Sequence, residues 1–479
     1  MNSAKQFEWR SAKAGSRKPG TPAPHLRWVW IGLFVAAIAL LGGSSRPDPI
    51  QHALLRPLAA LFLIPALYHL RLADLGRVKV LAALLDMTLV WMIIQLVPLP
   101  PELWQGLPGR GIIAEIDQLA GIEAVWRPLS LAPFRGLNSA LGMVIPITAL
   151  LLALSMKMDT RLVLLAIVAI GLVDAAFGML QVIGGPRSPL YLFAIASRGA
   201  PAGIFANENH SAVFSALALL TIVRLSLELH VPKDPAWLRL AAAPAFVFIL
   251  LAVLVTGSRA GYAATLVVLV ASGMMALLNS RKQARSTRHK RRRDGLHKRS
   301  GILALIFAAS LVLVVMMFVW LERTPALQDM LTRSSFEDLR WSLWPVLAVM
   351  IGDHWLLGTG FGSFDAVYHF YEPTALLLPR YVNHAHNDWA QLVIEGGLPA
   401  IMLLAAGLVW LGNALWIVIR KAETSAIYLI FWMACIAIIG AASIVDYPLR
   451  TPIFQTVFVW LFVSLALDKA SVLSKHQSA

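Results

Sequence analysis

Apolar runs of about twenty residues recur along the chain, separated by short polar breaks. Each is long enough to carry an α-helix through the hydrocarbon core of a bilayer. The pattern predicts an all-α, polytopic integral membrane protein with about 12 transmembrane helices, near residues 28–43, 57–70, 80–98, 137–155, 162–183, 209–224, 240–256, 261–279, 301–320, 398–419, 425–444 and 452–467. The second run is short and the sixth is interrupted by polar residues. One interval, 321–397, is too long for a mere connector. Its weakly helical, Trp-rich sequence, with Trp341, Trp344 and Trp355, predicts short helices lying in the membrane interface.

Composition agrees with this reading: 58% of the residues are hydrophobic and 14% charged, and the mean hydropathy is +0.69. The formal charge of +15 would suggest nucleic acid in a soluble protein. In a membrane protein its location matters more than its sum, and no nucleic-acid partner is expected. Basic residues concentrate at Lys5, Arg10, Lys13, Arg17 and Lys18, and again at 280–300. Basic loops stay cytoplasmic, and a path of twelve spans with the N-terminus inside puts both segments there. The expected organisation is a disordered basic cytoplasmic tail at 1–26, nine spans within 27–320, a long outer loop at 321–397, three spans within 398–467, and a cytoplasmic tail at 468–479. The lysines then all fall inside, whereas the outside retains only arginines, whose planar fork suits phosphate. The single cysteine, Cys435, falls in an apolar run and permits no intramolecular disulfide.

Four stretches and two carboxylates within spans carry candidate chemistry. Gly257-Ser258-Arg259-Ala260-Gly261 puts an arginine at a span mouth among small neighbours, which suits a pyrophosphate clamp or a snorkelling anchor. Phe205 to His210 opens the sixth span, where Asn207 is a candidate helix cap and Arg198 lies shortly before. Arg340 to Phe364 contains Gly358, Gly360 and Gly362, which read as a tight turn because no Lys-Ser/Thr follows them. Asn383-His384-Ala385-His386-Asn387-Asp388 is the densest polar cluster. It has the form of a His-x-His-x-Asp metal motif, but Trp389 stands where that motif continues with histidine, and no metal site is expected. A structural histidine pair, or a general base, is the remaining choice. Finally, Asp86 and Asp174 lie inside spans, where interhelical hydrogen bonding is the default.

Together with Trp126-Arg127-Pro128-Leu129-Ser130, these motifs resemble those of the O-antigen ligase and polymerase superfamily of bacterial inner-membrane glycosyltransferases. The likeness covers roughly residues 30–467. Its most specific part is His-Asn, nine residues, Gly, two residues, then Gly, Thr or Tyr; here His386-Asn387 is followed by nine residues and Gly397, with Ala400 departing at the last position. The resemblance implies an inverting glycosyltransferase, independent of metal and cofactor, multi-pass in the inner membrane, with cytoplasmic termini and a site facing the periplasm. The implied donor is a glycan on undecaprenyl pyrophosphate. The implied acceptor is lipid A-core for a ligase, or another lipid-linked repeat for an O-antigen or exopolysaccharide polymerase, with a protein O-glycosylating member as a lesser variant. The family's periplasmic histidine maps onto His386, its mouth arginine onto Arg259, and a second arginine onto Arg198. The expected set is therefore His386 as base, with Arg259, Arg198, Arg340, Asn207, His384 and Asn387 holding substrate, and Asn387, Asp388 or Asn383 setting the tautomer of His386. A non-catalytic polysaccharide transporter is the reading from another class; it is disfavoured because no inverted repeat is visible.

Overall fold

The computed structural model describes residues 24–46, 49–228, 236–287, 335–377, 382–421 and 425–477. They form a helical bundle whose only strands, among the described residues, are the paired dipeptides Pro98–Leu99 and Arg127–Pro128. Eight helices are long and apolar enough to cross a membrane, and His25–Leu41 and Leu240–Thr256 are shorter apolar helices. Every expected span except 301–320 coincides with a helix. That one, like the basic loop from 288 onward and the start of the outer interval to 334, lies outside the described residues. Among the described residues, then, eleven of the twelve expected spans fall on helices, but only eight helices are long and apolar enough to cross a membrane.

Two boundaries differ from expectation for physical reasons. Arg56-Pro57 reads as a break, yet the helix Ile50–His69 runs through both Pro57 and Pro65. Proline is tolerated in spans where neighbours re-satisfy the freed backbone. The tenth span, expected from 398, is the second half of a helix, Asp388–Lys421, that bends at Gly397 (φ 63°, ψ −160°).

That bend is built, not accidental. A break in a helix leaves carbonyls without intrahelical partners. The Ile394 carbonyl accepts from Thr359 N–H and the Glu395 carbonyl from Gly360 N–H and Gln95 Nε2. The Gly396 carbonyl accepts from Trp91 Nε1. Gly358 and Gly397 pack backbone to backbone, so that a Cβ on Gly397 would lie 2.6 Å from Gly358 N. The glycine loop is thus a tight turn that holds the kink, and Leu131 N–H, next to Ser130, bonds the Thr359 carbonyl from the other side.

At the centre of the bundle stands Glu208–Glu228, 83% buried against 22% for Asp388–Arg420. Small residues let its neighbours close in: Gly171 meets Ala218, and Gly261 meets Ala212. Asp174 ties this helix to Thr160–Gly184 by accepting from Ser211 and Ser215 hydroxyls, and it also accepts Ile204 N–H. Asp86, by contrast, is exposed and has no interhelical partner among the described residues. A second, smaller apolar core sits over one end of the bundle, where Leu343, Leu347 and Met350 of the helix Ser335–His354 pack with Tyr368, Val382, Ala385 and Ile394. Trp341 and Trp344 of that helix are left exposed on its other side.

Candidate active site

Four segments far apart in sequence meet at the same end of the bundle: 205–210, 256–262, 382–391 and 445–451. The turn before Arg259 is fixed first. Thr256 Oγ1 accepts Ser258 N–H, and Ser258 Oγ accepts Gly261 N–H, which makes Ser258 the N-cap of the helix Arg259–Thr287. Arg259 is consequently the first helical residue, where the free N–H groups and the macrodipole already favour an anion. Ser258 also donates to Asn209 Oδ1 at 2.7 Å, so this turn is tied to the start of the central helix.

Asn207 caps that central helix: its Oδ1 accepts Asn209 N–H. Both asparagines reach the same carboxylate, Asp446 Oδ2, from Nδ2 atoms at 3.5 Å (Asn207) and 3.3 Å (Asn209). Asp446 is 2% exposed and follows directly on the helix Ser425–Val445. Its other oxygen accepts Tyr447 N–H and lies 3.4 Å from His210 Nε2 and 3.9 Å from His386 Nδ1. At 3.9 Å the last pair is electrostatic proximity, not a hydrogen bond. The Tyr447 ring stands among three imidazoles, with centroids 4.5 Å from His384, 4.9 Å from His386 and 5.2 Å from His210.

The two histidines of the motif are employed differently. His384 is buried and saturated. Gln391 donates from Nε2 to its Nδ1, and that amide's orientation follows from Gln391 Oε1 accepting Ala385 N–H and Nε2 donating to Glu395. Nδ1 is therefore the acceptor, and Nε2–H donates to the Ser45 carbonyl at 3.2 Å. Burial, reinforced by the nearby Arg450 charge, holds this imidazole well below the usual histidine range and hence neutral. His386 instead takes a left-handed backbone (φ 50°), which costs a non-glycine residue about 1–3 kcal/mol. Its side chain remains 12% exposed.

His386, Asn387 and Arg259 line one cavity of about 620 Å³, whose remaining wall is apolar: Trp341, Trp344 and a set of alanines that includes Ala263 and Ala441. Of the other expected residues, Asn387 spends its Oδ1 on Ala390 N–H as the cap of the Asp388 helix. Asp388 is turned away from His386: it accepts Ser443 Oγ–H and Leu449 N–H, and lies 3.4 Å from Arg450 Nε. Asn383 lines a different cavity. The carboxylate beside His386 is therefore Asp446, not one of the three neighbours expected to set its tautomer. Arg198 is exposed over Tyr191 at 5.4 Å and lies outside the cavity that holds Arg259 and His386. The Arg340 side chain lies outside what is described, although its helix supplies Trp341 and Trp344. Among the described residues no three His, Cys, Asp or Glu side chains are grouped as a metal ion would need.

Sequence reading passed over Asp446. The available signal was a carboxylate at the end of an apolar run, followed by Tyr447-Pro448 and Arg450 before the next run begins.

Fold and site define a class: a polytopic helical membrane protein with a polar, histidine-bearing site at one end of its bundle. Residues 244–405 match the family model described as O-antigen ligase, which supports a likeness to the O-antigen ligase superfamily over that segment. The matched segment contains Arg259, His384, His386 and Asn387; Asn207, His210, Asp446 and Arg450 lie outside it. Comparison with curated proteins finds no match to the chain.

Proposed function

We propose that the protein is an inverting, metal-independent glycosyltransferase of the ligase type. It would move a glycan from undecaprenyl pyrophosphate to a hydroxyl of lipid A-core, on the periplasmic face of the bacterial inner membrane. The observation that carries this reading is the shared cavity of Arg259 and His386. Its apolar, alanine-lined wall suits a polyprenyl chain. The arginine at a helix N-terminus suits the pyrophosphate. The imidazole stands where an acceptor hydroxyl would lose its proton. In the step itself the acceptor oxygen bonds to the anomeric carbon, the bond from that carbon to the pyrophosphate oxygen breaks, the proton passes to His386, and the lipid pyrophosphate leaves with its charge held by Arg259. Asp446, near both His386 and His210, stabilises the imidazolium.

The test is transfer by purified protein in detergent, with lipid-linked donor and lipid A-core acceptor. His386→Ala should lose about 10² to 10⁴ in rate while the protein accumulates normally, and Asp446→Asn should lose less. Undiminished transfer by the His386→Ala protein removes the base; activity lost to EDTA and restored by zinc removes metal independence. Deletion of the gene separates acceptors. Free lipid-linked polymer beside a bare core is the expected result, whereas single repeats would make the acceptor another lipid-linked repeat. The twelve-span, N-inside path is part of the same proposal. A cysteine in place of Lys290 that is labelled from outside in intact cells would overturn it.

A further inference from the structure

A second cavity, of about 440 Å³, lies against the same stretch of chain. Ala385, His386 and Asn387 line the first cavity, while Asn383, His384 and Asp388 line the second. The partition is a single strand of backbone, and the left-handed turn at His386 lets its neighbours face opposite ways.

Most charge in the second cavity is internally closed. Arg450 lies between Glu395, at 2.8 Å, and Asp388, at 3.4 Å. Asp365 is paired with Arg135. Arg56 is different. It sits less than two turns into Ile50–His69, a helix apolar enough to cross a membrane, and it is half-buried. Its Nη1 donates to Asn138 Oδ1, a neutral acceptor, and among the described residues it has no carboxylate partner. A guanidinium inside an apolar span is costly, and one that faces a cavity without a counter-charge marks a place where an anion arrives. His52, one turn earlier on the same helix face, and Ser139 add hydrogen-bonding groups around it.

We infer that the second cavity receives the acceptor, and that Arg56 binds an anionic group, phosphate or carboxylate, carried on the acceptor's saccharide. The inference rests on the transferase reading and deepens it. Donor pyrophosphate and acceptor anion are held by different arginines on the two sides of the 383–388 partition. An acceptor bearing negative charge is thereby kept from occupying the donor's clamp.

The experiment uses the full chain in detergent. Its acceptor probe is a phosphorylated lipid A-core glycolipid, compared with the same glycolipid dephosphorylated by hydrofluoric acid. Arg56→Gln should raise the acceptor KM roughly ten-fold or more and leave the donor KM unchanged, and Arg56→Lys should recover part of the loss. The dephosphorylated glycolipid should be a poor acceptor for the wild type and serve both proteins equally. An unchanged acceptor KM in Arg56→Gln, or a raised donor KM, overturns the assignment. So does phosphatidylglycerol competing as strongly as the glycolipid, because the site would then hold a phospholipid headgroup. Removing a charge from an apolar helix eases insertion, so the variant should accumulate. Binding is also read without catalysis, as thermal stabilisation of the His386→Ala protein by the phosphorylated glycolipid. Adding Arg56→Gln should abolish that stabilisation; if it persists, the assignment fails while the transferase reading stands. If the wild type transfers nothing yet this stabilisation is seen and depends on Arg56, the transferase reading fails and the anion site stands.

Discussion

The two cavities share a partition but are lined by different material. On the Arg259 side the wall is alanine and tryptophan, with one cation and one partly exposed imidazole at the end. On the other side lie a buried ion cluster of Arg450, Asp388 and Glu395, a saturated imidazole, and Arg56. A wide apolar groove ending in a charge suits a lipid whose only polar part is its head. A polar chamber suits a saccharide, whose many hydroxyls need fixed donors and acceptors. The comparison extends to the two histidines, which are two residues apart in sequence. His384 has both ring nitrogens committed within the protein, and His386 faces the apolar cavity beside Asp446.

The strongest way to break this contrast, short of removing His386, is at Arg259. If it clamps pyrophosphate with its planar fork, Arg259→Lys should fail nearly as badly as Arg259→Ala, since a point charge does not replace two parallel hydrogen bonds. A loss on the order of 10² in kcat is expected for removal of a donor aimed at leaving-group charge. The measurement is donor-dependent transfer at matched protein level. Full activity in the lysine variant would reduce Arg259 to a membrane anchor.

Much of the scaffold was legible because a bilayer leaves few options: apolar runs of the right length become helices. What failed to show was contact between ends. Asp446 lies 60 residues from His386 and 236 from His210, by subtraction of their positions, and no local spacing announces such meetings. Asp388 and Asn387 looked like partners of His386 because they are its neighbours in sequence. The structure gives Asn387 to the cap of its own helix and Asp388 to Ser443, Leu449 and Arg450. Arg56 was hidden for another reason. Beside Pro57 it reads as the border of a span, and it becomes conspicuous only when the helix is seen to run through both. The three glycines at 358–362 were readable as a turn, but not as the support of the bend at Gly397, where the sequence showed only the start of an apolar run.

The smallest expected effect tests the saturated side of the partition. His384 is held neutral by burial and by the charge of Arg450, with His386 and His210 also near. An unfolded histidine titrates at about 6.5. Its folded counterpart here binds a proton only well below that value, so between the two the unfolded chain holds more protons than the folded one. The stability this gives is fully present above about pH 6.5 and is lost as pH falls below it, by up to about 1.4 kcal/mol per pH unit for one proton. Protonation at Nδ1 would also set two donors, the ring and Gln391 Nε2, against each other. Thermal melting in detergent, followed by tryptophan fluorescence from pH 8 to about pH 5, should therefore show a falling midpoint in the wild type. His384→Asn should melt lower at pH 8, having lost the two hydrogen bonds, yet fall less steeply on acidification. Its transfer rate should suffer less than that of His386→Ala, because His384 orders the partition without touching the reacting atoms. A variant whose melting midpoint falls as steeply as the wild type's would place the titrating group elsewhere.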